Sequence, residues 1–162
     1  WMVLSGPLAA EHGMGTPGAV VPMEQRGGMY GHALAVAYDV AVAWAQSPSD
    51  DGTRPIDDPL VRRRLARVAV DVEVATVTPG PMGRIVSSEL LIRGAEDLEN
   101  LLGPAGILPW GEQGSVGGGW IEYAHRFAQG TAIYGGSTDI HRNIIGEKFL
   151  GLPRSTPKST RA

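Results

Sequence analysis

Two glycines near the end of the chain carry the clearest capacity for chemistry. In the stretch IYGGSTDIHRNIIGEKFLGLP, Ile133 to Pro153, Gly135 and Gly136 stand directly before a helix start. Glycine lets a backbone pass close to another group, and the first amides of a helix lack intrahelical acceptors. Such a turn can donate N–H groups to an anion or a polarised carbonyl. By itself it is also ordinary punctuation. A second run, Gly117-Gly118-Gly119, has the composition of a phosphate cradle, but no strand precedes it and a flexible connection is the plainer reading. His32, His125 and His141 show no ligand spacing, so no metal site is expected. Tyr134 suits either a site wall or a core aromatic, and Arg142 either a phosphate or a surface ion pair.

These residues need elements to hold them. Ile140, Ile144, Ile145 and Leu150 recur at helical spacing and predict a buried stripe, with Asp139, Arg142, Asn143 and Glu147 facing water. Ser137 or Thr138 can cap this helix, Lys148 suits its last turn, and Gly151 with Pro153 stops it. Upstream, Trp1 to His12 reads as a short helix interrupted by Gly6-Pro7, and Gly13 to Gly27 as a connection. Met29, Ala33, Val36, Val40 and Trp44 predict the buried side of a helix over Gly28 to Gln46, followed by a polar loop, Ser47 to Asp57. Asp58-Pro59 is a strong helix start. The Val68, Val70, Val72, Val74 alternation that follows has strand character, yet the capped start favours helix. Thr78-Pro79-Gly80-Pro81 ends that element, Met82 to Leu102 forms the next helix, and Gly103-Pro104 stops it. Ile107 to Gly119 reads as loop, and Trp120, Tyr123, Ala124 and Phe127 as the buried stripe of a further helix. The expected fold is all-α, an up-down bundle of five or six helices over residues 1–153, with a polar tail at 154–162.

Composition narrows the function. At 162 residues and 43% hydrophobic, the chain is long enough for one core. A formal charge of -3 and no basic cluster beyond Arg62 to Arg64 argue against nucleic-acid binding; the Arg triplet reads as a solvated helix face. The absence of Cys removes disulfides and thiolate metal sites and fits a reducing compartment, so a cytoplasmic location is expected. The longest apolar run, Ala33 to Ala45, contains Asp39 and is too short to span a bilayer. No signal-peptide pattern is present, and because the chain begins at Trp1 and not at Met it is expected to be a piece of a longer protein or a processed one.

The longer string settles on a family. Tyr-Gly-Gly-Ser-Thr-Asp-Ile-His-Arg-Asn-Ile-Ile followed by Leu-Gly-Leu-Pro closely resembles the C-terminal signature of the flavin-dependent acyl-CoA dehydrogenases. The resemblance covers nearly all of the chain but only the C-terminal helical domain of such an enzyme; the N-terminal helices and middle β-domain have no counterpart. It implies that the turn touches both FAD and an acyl-CoA thioester, with Tyr134, Gly136, Ser137 and Asp139 lining the cofactor and the Gly135 amide donating to the thioester oxygen. It implies loss of an α-proton to a base and of a hydride to flavin, giving the enoyl-CoA, with an electron-transfer flavoprotein as electron acceptor. Homo- or hetero-oligomers of acyl-CoA dehydrogenase-like subunits are the implied assembly.

In many relatives the base is a Glu directly after the signature Tyr, where this chain has Gly135. Members resembling isovaleryl-CoA and long-chain acyl-CoA dehydrogenases keep a small residue there and supply the Glu from an earlier helix, at the position held here by Glu11. The usual Arg after that Glu is replaced by His12. Glu11 is therefore the candidate base; taken without the resemblance it is a solvated carboxylate near a helix end. Two further departures bear on function. WAQSPSDDG stands where relatives carry an Arg-x-x-Phe-Gly segment reaching the flavin pyrophosphate, and the connection from Thr76 to Met82 looks trimmed. The alternatives are a non-catalytic partner subunit of a heteromeric enzyme acting on bulky sterol-type acyl-CoA, and a helical interaction domain without ligand.

Overall fold

Asp58 opens the second helix as its sequence dictates: its carboxylate accepts from the Leu60 amide at 2.7 Å and Pro59 fills the first position, where no N–H is needed. The computed structural model describes residues 28–153. Among them are five α-helices, α1 (Gly28–Gln46), α2 (Pro59–Val77), α3 (Gly80–Leu102), α4 (Trp120–Thr131) and α5 (Thr138–Ile144). The expected all-α, up-down bundle is the observed fold. Helices α1, α2 and α3 pack against one another, α4 lies on α3 and α1, and α5 lies on α3. The valine-rich half of α2 is helical throughout, because Leu65, Val68 and Ala75 lie on one buried stripe while Val70 and Val74 face water.

The connection from α2 to α3 is only Thr78-Pro79, so the two helices form a tight antiparallel hairpin. Helix α3 starts at Gly80, ahead of the expected Met82, since Pro81 is harmless in a first turn. The expected loops also contain short 3-10 turns at Pro55–Asp57, Gly103–Ala105 and Val116–Gly119.

Helix α3 is the central element. Pro81, Arg84, Ser88, Leu91, Ala95, Leu98 and Leu102 form a continuous buried stripe at alternating spacings of three and four. Small residues bring the neighbours close: a Cβ on Gly94 would stand 2.6 Å from Leu34 Cδ1, and one on Gly31 3.1 Å from the Ala75 backbone. Asp71 on α2 takes Arg93 of α3 at 2.7 Å, and Asp97 of α3 takes Arg67. Within the Arg triplet, Arg62 donates to the nearby Ile56 and Asp57 carbonyls and Arg64 reaches across to the Asp97 carbonyl of α3.

Three predicted stripes are displaced. On α1 the fully buried positions are Leu34, Ala37, Ala41 and Ala45, next to the expected ones, because this helix is apolar almost all round and its periodicity has no unique phase. On α4 they are Ile121, Ala124, Ala128 and Thr131, while Tyr123 is exposed. In the C-terminal segment, Ile140 and Leu150 are exposed and His141 is the buried residue. There α5 ends at Ile144, and a π-type turn, Ile145–Phe149, carries the Leu150 amide to the Ile145 carbonyl at 3.1 Å. That wider turn takes Leu150 off the stripe. Among the described residues no helix is long and apolar enough to cross a membrane.

Candidate functional site

The glycine turn lies between α4 and α5, at one end of the bundle and against α3. Helix α4 closes with the Ile133 and Tyr134 amides both donating to the Gly130 carbonyl, at 3.0 and 3.2 Å. The chain then reverses through Gly135 (φ +67) and Gly136 (φ +87), a left-handed path that side-chain-bearing residues avoid. Ser137 caps α5 by accepting from the Ile140 amide at 3.3 Å, and the Thr138 amide returns to the Ala132 carbonyl at 3.0 Å. Among the described residues, the Gly135, Gly136 and Ser137 amides meet no acceptor.

The carbonyls of the same turn are taken from behind. Arg84 of α3 projects from the buried stripe, and its Nη2 stands 2.6 Å from Thr131 O, 2.6 Å from Tyr134 O and 3.3 Å from Gly136 O. Its Nη1 donates to Ser88 Oγ, and its guanidinium carbon lies 4.8 Å from the centre of the Tyr30 ring. His141 Nε2 lies 3.5 Å from Gly135 O. Among the described residues, a Cβ on Gly136 would meet that same nitrogen at 3.1 Å, whereas a Cβ on Gly135 would find nothing nearer than Arg84 Nη2 at 4.0 Å. Gly136 therefore permits close packing, and Gly135 borders space that no described residue fills.

Tyr134 belongs to an aromatic group with Tyr30 and Phe127, ring centres 6.4 Å away in both cases, and is 40% exposed. It forms a site rim and a core edge at once. Partial burial, then the adjoining Tyr30, raises its hydroxyl above the ordinary tyrosine range, so it stays a protonated donor at neutral pH. Asp139 pairs with Arg142 at 3.1 Å, and Arg142 also reaches Glu89 of α3. Arg142 is thus the surface ion pair. Of the expected site residues, Tyr134, Gly135, Gly136, Ser137 and Asp139 are brought together in this turn and the first turn of α5; Glu11 and the helix around it lie outside the described residues.

Arg84 and Ser88 were not singled out from the sequence, and His141 was weighed there only as a metal ligand. Arg84 did leave a signal: a charged residue inside the spacing pattern of an otherwise apolar helix face, which a helical projection of Pro81 to Leu102 exposes. His141 left none, because its burial depends on how α5 rolls against α3.

The family model for the acyl-CoA dehydrogenase C-terminal domain matches residues 25–79 and 77–150. The two matched segments meet at the short α2–α3 connection. Acyl-CoA dehydrogenase FadE26 of Mycobacterium tuberculosis is 32% identical over 132 residues, spanning 69% of this chain and 33% of that protein. Acyl-CoA dehydrogenase IpdE1 of the same organism is 30% identical over 169 residues, spanning 95% of this chain and 38% of that one. The chain thus spans about a third of the length of these curated relatives. Among solved structures, the ChsE4-ChsE5 complex from Mycobacterium tuberculosis superposes with a TM-score of 0.68 at 28% identity, over 78% of this chain and 36% of that chain. The Tcur3481-Tcur3483 steroid ACAD superposes with a TM-score of 0.64 at 27% identity, over 77% of this chain and 35% of that one.

Proposed function

The chain belongs to the acyl-CoA dehydrogenase family, as its C-terminal helical domain, and from that premise we propose that the whole protein oxidises an acyl-CoA thioester to its enoyl-CoA. The observation carrying this reading is the turn itself: among the described residues, the amides of Gly135, Gly136 and Ser137 have no acceptors and the space beside Gly135 is unfilled. A thioester oxygen that accepts from such amides gains stabilisation as negative charge develops on it, which acidifies the neighbouring C–H. Glu11 is the proposed base. The missing side chain at Gly135 supports it, because a carboxylate arriving from another helix has room there among the described residues, within reach of a bound α-carbon.

The turn also fits a flavin. Unpaired amides, a half-exposed tyrosine ring and the absence of a Cβ at Gly135 are what a polar planar group needs against a backbone. Tyr134, Gly136, Ser137 and Asp139 would hold FAD; Ser137 accepts from Ile140 and keeps its own O–H to donate. Bound there, flavin supplies the two-electron acceptor for the hydrogen leaving the β-carbon. An electron-transfer flavoprotein is the proposed recipient downstream.

A bulky, sterol-type acyl group is the proposed substrate, supported by the likeness to a steroid enzyme. A second reading, a partner subunit paired with an unlike one, has its own support: both structural relatives above are named as two-component proteins, and the segment after α1 is an exposed polar loop without the flavin-reaching arginine. Full-length Glu11→Gln, with any partner present, separates them. As the base, its loss lowers α-proton exchange of a bound acyl-CoA by about 10²–10⁴-fold while flavin absorbance remains. Unchanged exchange removes Glu11 from the chemistry and favours the partner-subunit reading; full-length, partnered protein without flavin favours a helical interaction domain.

A further inference from the structure

Arg84 is a buried cation whose counter-charge is backbone. It is 3% exposed, and among the described residues no carboxylate lies within ion-pair distance of it, whereas Arg54, Arg64, Arg67, Arg93, Arg126 and Arg142 each have one. Burying a charge without an opposite charge is costly, and an apolar side chain would fill the same stripe position more cheaply. Stability alone is a poor reason for an arginine here.

What Arg84 touches supplies a better one. Carbonyls of Thr131, Tyr134 and Gly136 converge on a single guanidinium nitrogen. A trans peptide unit is planar, with its C=O and N–H pointing in opposite directions, and the described residues contain no cis peptide. Drawing the Tyr134 carbonyl toward Arg84 therefore turns the Gly135 N–H away from α3. Drawing in the Gly136 carbonyl does the same to the Ser137 N–H. The Gly135 carbonyl lies 3.5 Å from His141 Nε2, so the Gly136 N–H points away from that ring. At φ +67 and +87, glycine has broad conformational freedom, so the backbone of these two residues does not by itself fix these directions.

We propose that Arg84 is the positioning residue of this turn: it holds the carbonyls inward so that the Gly135 and Ser137 amides present a fixed donor pair to the thioester oxygen of an acyl-CoA. Its positive charge behind the same peptides strengthens those donors. The ligand class rests on the function proposed above.

The test is an infrared difference spectrum of the full-length protein, with any partner subunit, binding acetyl-CoA labelled with carbon-13 at the thioester carbonyl. Acetyl-CoA has no β-carbon, so it cannot be oxidised, and it makes little demand on the acyl pocket. In the unaltered protein the carbonyl stretch moves to lower frequency on binding. Arg84→Met, similar in length but uncharged, loses most of that shift, and Arg84→Lys, which keeps the charge without the planar fork, loses part of it. If Arg84→Met fails to fold, Arg84→Lys alone decides. A full shift in Arg84→Lys, even with a lowered melting temperature, assigns Arg84 to stability and overturns the proposal. An unaltered protein that binds acetyl-CoA with no shift overturns the thioester reading of the turn itself, and the role of Arg84 falls with it.

Discussion

Replacing each glycine of the turn by alanine should give two different results, because their surroundings differ while their backbone strain is similar. Both Gly135 and Gly136 have positive φ, and a left-handed conformation costs a side-chain-bearing residue about 1–2 kcal/mol. Alanine recovers about 0.4–1 kcal/mol of that by restricting the unfolded chain. At Gly135 the described residues add nothing else, since among them the new methyl's nearest neighbour would be Arg84 Nη2 at 4.0 Å. The net cost of Gly135→Ala is then about 1 kcal/mol. At Gly136 the methyl would press on His141 at 3.1 Å from Nε2 and 3.5 Å from Cδ2, and His141 is 7% exposed with little space to retreat. Overpacking of this kind adds about 1–3 kcal/mol. Gly136→Ala should therefore be less stable than Gly135→Ala by at least about 1 kcal/mol, a difference of roughly 2–4 °C in melting temperature for a chain of this size. Urea unfolding followed by circular dichroism measures it, with equal slopes required for the comparison. Activity should rank the other way relative to stability: Gly135→Ala, the milder change for folding, fills the space proposed for Glu11 and should lose most turnover. Equal destabilisation by the two substitutions would refute the claim that the space beside Gly135 is unfilled.

Two further expectations follow from packing and charge. Gly94→Ala places a methyl 2.6 Å from Leu34 Cδ1 and should destabilise by about 1–3 kcal/mol, Leu34→Ala alone by about 2–5 kcal/mol, and the double substitution by clearly less than their sum; additive losses in the double-mutant cycle would show that α1 and α3 do not meet there. Hydrogen bonding from Arg126, outweighing the opposing effect of burial, holds the Glu122 carboxyl below its ordinary 4.5, so its contribution to stability is present above that value and disappears as pH falls through the folded one. Glu122→Gln should cost about 0.3–0.5 kcal/mol at neutral pH, small because Arg126 is well exposed, and nothing in acid; a penalty that persists in acid would mean the pair matters through packing.

Over the described residues, the existence of each helix and most helix starts were legible without coordinates, because they depend on nearest neighbours in the chain; the start of α3, two residues ahead of Met82, was not. Asp58 capping ahead of Pro59, Ser137 capping ahead of Ile140, and the stop at Gly103 are all local chemistry. Phase was less legible. A helix such as α1, with apolar residues on nearly every side, carries no periodic contrast, and only the small surfaces of Gly31, Gly94 and Ala75 decide which side lies deepest.

The sequence alone determined the family, the bundle and the glycine turn, since each is written in contiguous residues whose order and spacing survive without a partner. The tertiary structure decided what lies behind that turn. Arg84 is about fifty residues away in the chain, and nothing between it and Gly136 announces that their atoms meet. The roll of α5, burying His141 and exposing Ile140, was likewise settled only where it docks on α3. Contacts between distant segments depend on the packing angles and depths of whole helices, which are collective properties of all the side chains between them and so are not encoded in any short stretch.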